Sequence, residues 1–156
     1  MAIYPLNEVF DSNDHYKLFL LPFLEETKSQ TVEFLESKGI KTVDVGKIVS
    51  LFIDALENYK YLNIDVVDYI QKLMDQYKSK GKGNAVVAIT NLGILLEPAL
   101  EINSSKLLKE YSKSTSLIIL WEHEFHGSQK LTWKTQKTKY YLDFSEINLK
   151  ILQNEI

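Results

Sequence analysis

The sequence predicts an α/β fold, a three-layer sandwich in which helices cover both faces of a mainly parallel sheet. Three observations lead to this prediction. Residues 16–21, 85–89 and 116–121 are short apolar runs without alternation, which is typical of strands buried on both faces. Segments with apolar residues at helical spacing separate these runs. The chain of 156 residues has the usual size of one domain, so we expect a single domain over residues 1–156.

Helices are predicted where apolar residues recur at intervals of three and four. These segments are residues 28–38, 48–59, 65–74 and 104–112. Gly39 follows the first of them, as is typical of a helix C-terminus. Asp65 and Ser104 begin the last two. A side-chain oxygen at that position accepts a hydrogen bond from a free helical N–H, so we expect both residues to be N-caps.

The remaining segments predict further strands and turns. Residues 41–45 alternate and predict a strand, whereas residues 78–84 are polar, contain two glycines and predict a turn. Residues 92–100 predict an apolar loop or a short helix. Shorter alternating segments near the C-terminus predict a hairpin and a closing strand, with antiparallel strands at one edge of the sheet. These segments are residues 130–133, 140–144 and 149–152.

The composition excludes several classes of protein. The chain has no cysteine, which rules out disulfides and thiolate chemistry and fits a reducing compartment such as the cytoplasm. Residues 1–10 lack the pattern of a signal peptide, and the longest apolar runs are too short to span a bilayer, so we expect no membrane contact. All 18 basic residues are lysines, so the chain has no arginine finger for phosphoryl transfer. The net charge of −3 argues against strong nucleic-acid binding.

The turn after the first strand is laid out like a phosphate-binding P-loop, which needs a strand, a turn of the form G-x-x-x-x-G-K-[ST] and a helix. The turn here is PFLEETKS. Lys28 and Ser29 occupy the positions of the lysine and the hydroxyl, and Pro22 and Thr27 occupy those of the glycines. Pro22 has no N–H to donate, and Thr27 has a Cβ where the backbone must approach phosphate, so the sequence argues against tight phosphate binding.

Acids in this turn, and a missing acid elsewhere, argue further against hydrolysis. Glu25 and Glu26 would repel phosphates, and they are typical of the start of a helix, where they favour the helix dipole. A hydrolytic P-loop protein also needs a carboxylate for Mg²⁺ at the end of a core strand, where this chain has Thr90 and Asn91. We therefore expect no cofactor, or at most weak binding of ATP and Mg²⁺ at these positions.

A second cluster follows the last long apolar run. Glu122, His123, Glu124 and His126 have the donor types of a zinc site, but such a run is more often a solvated loop, and we expect no metal. The carboxyl ends of strands are nevertheless where α/β sheets bind ligands. Glu122, His123 and His126 are therefore kept as a candidate sensor or ligand loop.

Lysines and aromatic residues are interleaved near the C-terminus. The patch comprises Lys130, Trp133, Lys134, Lys137, Lys139 and Tyr140. Such a patch can contact nucleic acid, and lysines on a hairpin also protect an exposed sheet edge from aggregation or bind an acidic protein. The sequence favours the protected edge and does not favour nucleic-acid contact by the chain alone.

Several segments resemble a known family. They are NLGILLEPAL at 91–100, KLL at 106–108, a strand ending in Trp121, and a tail with Gly127, LTW at 131–133 and YY at 140–141. Their order and spacing resemble BrxF, a family of small P-loop proteins of bacteriophage-exclusion (BREX) systems. The resemblance covers residues 16–36 and 85–152. It implies a P-loop NTPase-like fold and a role in phage defence within a multi-protein complex. The chain departs from the family at Pro22, Thr27 and Thr90.

Three hypotheses of function follow. The first is a degenerate P-loop protein of an anti-phage defence system, a pseudo-NTPase that acts as an assembly or regulatory subunit with a larger ATPase or itself as partner. The second is an active nucleotide-binding ATPase that uses Lys28 and Ser29. The third is a structural or nucleic-acid-contacting adaptor.

Overall fold

The structure is a computed structural model and describes residues 2–123, 125–126, 130–134, 139–147 and 149–156. The strands of this part of the chain are β1 (Ile3–Tyr4), β2 (Leu18–Pro22), β3 (Thr42–Asp44), β4 (Val86–Thr90), β5 (Ser116–Trp121), β6 (Phe125–His126), β7 (Lys130–Lys134), β8 (Lys139–Asp143) and β9 (Lys150–Leu152). The helices are α1 (Glu8–Asp11), α2 (Lys28–Ser37), α3 (Val45–Ala55), α4 (Leu62–Tyr77) and α5 (Ser104–Tyr111). Short 3-10 turns span Glu25–Thr27, Leu92–Leu96 and Pro98–Leu100.

Six strands form one sheet in the order β1-β9-β2-β5-β4-β3, and every neighbouring pair is parallel. The register brings the predicted apolar runs side by side: Leu20 lies opposite Ile119, and Ile119 lies opposite Ile89. Every residue of β4 and β5 is buried. The prediction of a mainly parallel sheet within an α/β fold is therefore confirmed.

Helices cover both faces of this sheet. On the first face, α1 and α2 pack on the sheet, and Leu35 of α2 shares a core cluster with Phe19, Leu21 and Ile118. On the second face, α3, α4 and α5 pack on the side chains that the same strands direct to that side, such as Leu20, Ile89 and Ile119. Because successive residues of a strand point to opposite faces, each central strand contributes to both cores. The three-layer arrangement matches the prediction.

The antiparallel strands differ in detail from the prediction. β6, β7 and β8 form a separate three-stranded antiparallel sheet, in which Leu131 lies opposite Leu142, and they do not extend an edge of the main sheet. Both leucines are buried in the core of the second face. The closing strand β9 is parallel and lies inside the sheet between β1 and β2. The alternation of apolar and polar residues predicted the strands correctly, but it does not indicate which strand each of them pairs with.

Two predicted helix caps are wrong. α4 begins at Leu62, so Asp65 lies in its first turn and does not cap it. α5 is capped by Asn103, whose side chain accepts a hydrogen bond from the Lys106 N–H at 3.2 Å, and Ser104 is the first helical residue. The Ser104 hydroxyl instead donates to the Leu95 carbonyl. Asn, Ser and Asp can all act as N-caps, so the local sequence does not determine which of several neighbouring residues begins the helix.

Helix α3 begins three residues earlier than predicted. Asp44, the last residue of β3, caps it by accepting a hydrogen bond from the Lys47 N–H at 3.0 Å. The strand therefore passes directly into the helix. Within the described residues, no helix has the length and apolar character needed to cross a lipid bilayer.

Candidate functional site

The carboxyl ends of the central strands form the candidate site. In open α/β sheets, ligands bind where connections from neighbouring strands leave for opposite faces. Strands β2 and β5 are neighbours in the sheet. After β2 the chain continues into α2, which packs on the first face, whereas after β5 it continues to Leu131, which packs on the second face. We call this region the carboxyl edge: residues 22–29 after β2, Asp44 at the end of β3, residues 90–103 after β4 and residues 121–123 after β5.

The turn after β2 is a compact 3-10 turn. A phosphate-binding nest requires successive N–H groups that converge on one point, which needs a residue in the left-handed region. All residues from 22 to 29 are described, and none has a positive φ. Thr27 donates its N–H to the Leu24 carbonyl at 2.9 Å, and Lys28 donates its N–H to the Glu25 carbonyl. The turn therefore uses these N–H groups internally and does not present them to an anion.

The ends of the turn are held by the rest of the fold. Phe23 is buried and donates its N–H to the Trp121 carbonyl at 3.2 Å. The Pro22 carbonyl accepts a hydrogen bond from the Asn154 side chain at 3.0 Å. Lys28 is half-buried and Ser29 is exposed, and both lie in the first turn of α2, as the sequence predicts. The role of Asn154 could not be predicted, because it depends on where the C-terminal residues pass.

The ends of β3 and β4 are joined by side chains. Asn91 follows β4 in the left-handed conformation, with φ of 59°, and its Nδ2 donates to Asp44 Oδ1 at 2.9 Å. The same carboxylate oxygen caps α3. Gly46 lies against this pair: a Cβ there would be 2.8 Å from the Asn91 carbonyl oxygen. Sequence analysis selected Asn91 but missed Asp44 and Gly46, although an acid at the end of a predicted strand was a usable signal.

Thr90 occupies the position where a hydrolytic enzyme of this layout has its metal-binding acid. The residue is 3% exposed, and its Oγ1 has no hydrogen-bond partner among the described residues. In the register of the sheet it lies directly beside Asp44. Asp44 is engaged with Asn91 and with the N-terminus of α3, so the carboxylate nearest to Thr90 already has a structural role.

We expect Thr90→Val to raise the free energy of unfolding by about 1 kcal/mol, because it removes a buried hydroxyl without a partner while preserving shape. Thr31→Val is the matched control. Thr31 is equally buried, but its hydroxyl donates to the Thr27 carbonyl at 2.9 Å, so its loss should destabilise the protein. Chemical denaturation measures both. A loss of stability in Thr90→Val would show that the hydroxyl has a partner such as bound water.

The predicted ligand loop lies at the end of β5. His123 Nε2 is 3.4 Å from Glu122 Oε1, and its ring meets Trp121 edge to face at 5.3 Å. These residues line a cavity of about 20 Å³ together with Asn91, a volume that holds about one water molecule. Glu124 and the side chain of His126 lie outside the described residues. Within the described part of the chain, no three His, Asp or Glu side chains converge as metal ligands do.

The carboxyl edge is acidic. The segments 23–27, 91–103 and 122–123 contain no lysine. Together with the end of β3, they carry the acids Glu25, Glu26, Asp44, Glu97, Glu101 and Glu122. All except Asp44 are exposed. Lys28, Lys47 and Lys106 lie in the first turns of the following helices, so the acids still outnumber the lysines there. Such an edge repels a triphosphate and attracts a cationic partner.

The basic and aromatic patch lies on the separate antiparallel sheet, where Tyr141 lines a cavity together with Glu97 and Glu101 of the carboxyl edge. Lys130 is exposed, and its ammonium lies 4.5 Å from the centre of the Tyr141 ring. Tyr140 is half-buried on β8. Lys137, with the side chains of Trp133, Lys134 and Lys139, lies outside the described residues, so nucleic-acid contact by this patch stays a prediction.

No family model, no curated protein and no solved structure matches the chain.

Proposed function

We propose that this chain is a P-loop-like subunit that does not hydrolyse nucleotide and that assembles or regulates a multi-protein complex in the cytoplasm. The observation that carries the proposal is the turn after β2. It has the position of a P-loop and retains Lys28 and Ser29, but Thr27 and Lys28 donate their N–H groups within the turn. A phosphate would have to displace these hydrogen bonds.

The electrostatics of the carboxyl edge support the same conclusion. A triphosphate bound there would face the exposed acids Glu25 and Glu26 within the turn and Glu122 after β5. Thr90 stands at the end of β4, where a hydrolytic P-loop protein has its metal-binding acid. The chain also has no arginine to stabilise the transferred phosphoryl group. A fold that keeps its sheet and loses these groups is suited to presenting surfaces to partners.

The biological setting that we propose is defence against phage. It rests on the order of segments that resemble BrxF, among them residues 91–100 and the strand that ends in Trp121. The test is genetic: deletion of the gene from a resistant host should restore plaque formation, and Lys28→Ala should leave resistance intact. Full resistance after deletion would contradict the defence role.

Thermal melting with excess Mg-ATP or Mg-GTP tests the loss of nucleotide binding. A ligand at 100-fold over its Kd stabilises a protein by about 2.7 kcal/mol, which for a chain of this size raises Tm by about 5–10 °C. We expect a shift below about 1 °C, equal in the wild type and in Lys28→Ala. A rise of several degrees that Lys28→Ala abolishes would establish the competing hypothesis, an active nucleotide site.

A further inference from the structure

The amino ends of the central strands form a second edge, opposite the carboxyl edge. We call it the amino edge: the loops 12–17, 39–41, 78–85 and 112–115, which lead into β2, β3, β4 and β5. These loops carry six lysines, which are Lys17, Lys41, Lys78, Lys80, Lys82 and Lys113. Their one acid, Asp14, binds Lys150 of β9 at 2.9 Å. Three acids at the ends of the preceding helices lie beside these lysines: Asp75 and Glu110 pair with Lys78 and Lys113, and Glu36 lines a cavity with Lys41. The lysines still outnumber the acids, so the amino edge is basic in a protein that is acidic as a whole.

The lysine loops are fixed to the sheet. The Lys17 ammonium donates to the Lys113 carbonyl at 3.2 Å, which joins the loops before β2 and β5. Ser79 exchanges two hydrogen bonds with Val86, with its N–H donating at 2.8 Å and its hydroxyl accepting at 2.9 Å. At the other end of that loop, Asn84 donates its side-chain amide to the Ser12 carbonyl at 2.8 Å. The lysines are thus presented on anchored backbone.

Three of these lysines are available to a partner. Lys78 and Lys113, which follow the ends of α4 and α5, form ion pairs with acids three residues earlier, at 3.4 Å to Asp75 and 2.8 Å to Glu110. Lys41, Lys80 and Lys82 are exposed and have no ion pair within the described residues. They are the charges that a second molecule can reach.

The two edges are complementary in charge. Exposed carboxylates cluster around the ends of β2, β4 and β5, and exposed lysines cluster around the beginnings of β3 and β4. The two clusters are separated by the length of a five-residue strand, about 17 Å. Opposite charges at the two ends of one molecule orient a second copy head to tail, because like ends repel.

We propose that the occupant of the carboxyl edge is the amino edge of a second copy of this chain. The contact joins two different surfaces, so a pair of copies keeps one open edge of each kind, and the assembly closes into a ring or grows into a filament. This inference deepens the assembly role proposed above and rests on it, but it needs neither the resemblance to a family nor a bound nucleotide.

Mass measurement across salt concentrations tests self-association. Sedimentation velocity or light scattering at high protein concentration should show oligomers in about 0.1 M NaCl. In about 1 M NaCl, where the Debye length falls from about 10 to about 3 Å, association should weaken at least about tenfold. A monomer at both salt concentrations overturns the proposal and leaves the nucleotide test unaffected, so the two can fail separately.

Charge reversal identifies the surfaces. Lys41→Glu, Lys80→Glu and Lys82→Glu together make the amino edge acidic, and Glu25→Lys, Glu26→Lys and Glu97→Lys make the carboxyl edge basic. Each triple variant alone should be monomeric. An equimolar mixture of the two should associate again, because each contact then joins an acidic edge to a basic one. A mixture that stays monomeric contradicts the head-to-tail contact.

A matched control separates local from net charge. Lys72→Glu with Gln71→Glu lowers the net charge by three units, as many as Lys80→Glu with Lys82→Gln, but Gln71 and Lys72 are exposed within α4 and lie on neither edge. The α4 variant should associate like the wild type. If it also becomes monomeric, net charge and not the amino edge controls association. Binding of single-stranded DNA to Lys41, Lys80 and Lys82 in place of self-association would assign the amino edge to nucleic acid and overturn the proposal.

Discussion

Gly46→Ala is expected to lower the free energy of unfolding by about 2 kcal/mol and Tm by about 4–8 °C. The new Cβ would lie 2.6 Å from Asn91 Cγ and 2.8 Å from the Asn91 carbonyl oxygen. Asn91 would have to move, and its hydrogen bond to Asp44 would break. Overpacking of this kind costs about 3 kcal/mol, which outweighs the gain of about 1 kcal/mol from alanine in a helix.

Ser50→Ala is the control for Gly46→Ala. Ser50 is exposed in the same helix, so this change alters helix propensity without a steric clash. The double variant Gly46→Ala, Asn91→Gly should recover part of the lost stability, because glycine tolerates the positive φ of position 91 and removes the side chain that collides. If Gly46→Ala is as stable as Ser50→Ala, the ends of β3 and β4 are not joined in this way.

Lys150→Met is expected to destabilise the protein by about 2 kcal/mol, between the values for exposed and buried ion pairs. Lys150 lies on β9, and its ammonium contacts Glu8 at 2.7 Å and Asp14 at 2.9 Å. It also lies 4.9 Å from the centre of the Tyr4 ring. The side chain is 11% exposed, so removal of its charge loosens the N-terminal segment from the sheet.

The effect of Lys150→Met should depend on pH. Burial lowers the pKa of Lys150, but hydrogen bonds to Glu8 and Asp14 outweigh burial, and the pKa is raised above 10.5. The stabilisation is therefore fully present below pH 10.5 and is lost as the pH rises through the raised pKa. Denaturation at several pH values measures the difference between wild type and variant. It should be constant from neutral pH up to about pH 10.5 and shrink as the pH rises further.

Lys72→Met is the matched control for this change. Lys72 is exposed on α4 and has no ion pair within the described residues, so its replacement should change stability by less than about 0.5 kcal/mol at any of these pH values. An equal loss in the two variants would show that the pair of acids around Lys150 contributes nothing specific.

The local layout of the candidate site could be read from the sequence, because it depends on neighbours in the chain. An apolar run, a polar turn and a helix place Pro22, Lys28 and Ser29 at the end of a strand, and the structure has them there. Thr90 and Asn91 likewise end β4, as predicted. The anchoring of the turn was not predictable, because Phe23 at its start donates its N–H to the Trp121 carbonyl on the neighbouring strand.

The long-range partners needed the tertiary structure. Residues 149–152 alternate as any closing strand does, yet β9 lies inside the sheet between β1 and β2. An acid near the end of a predicted strand marks Asp44 as a candidate, but only the pairing of β3 with β4 shows that it contacts Asn91. Contacts between residues 47 positions apart leave no periodic trace in the sequence.

The sequence by itself determined the fold class, since runs such as residues 85–89 can be satisfied only between two covering layers. It also determined which chemical groups are missing from the turn after β2. The tertiary structure alone decided that this turn uses its N–H groups internally, and that acids and lysines gather at opposite ends of the sheet. The physical reason is that a parallel sheet collects the ends of strands that lie far apart in the chain, so the charge of each edge is a property of the topology.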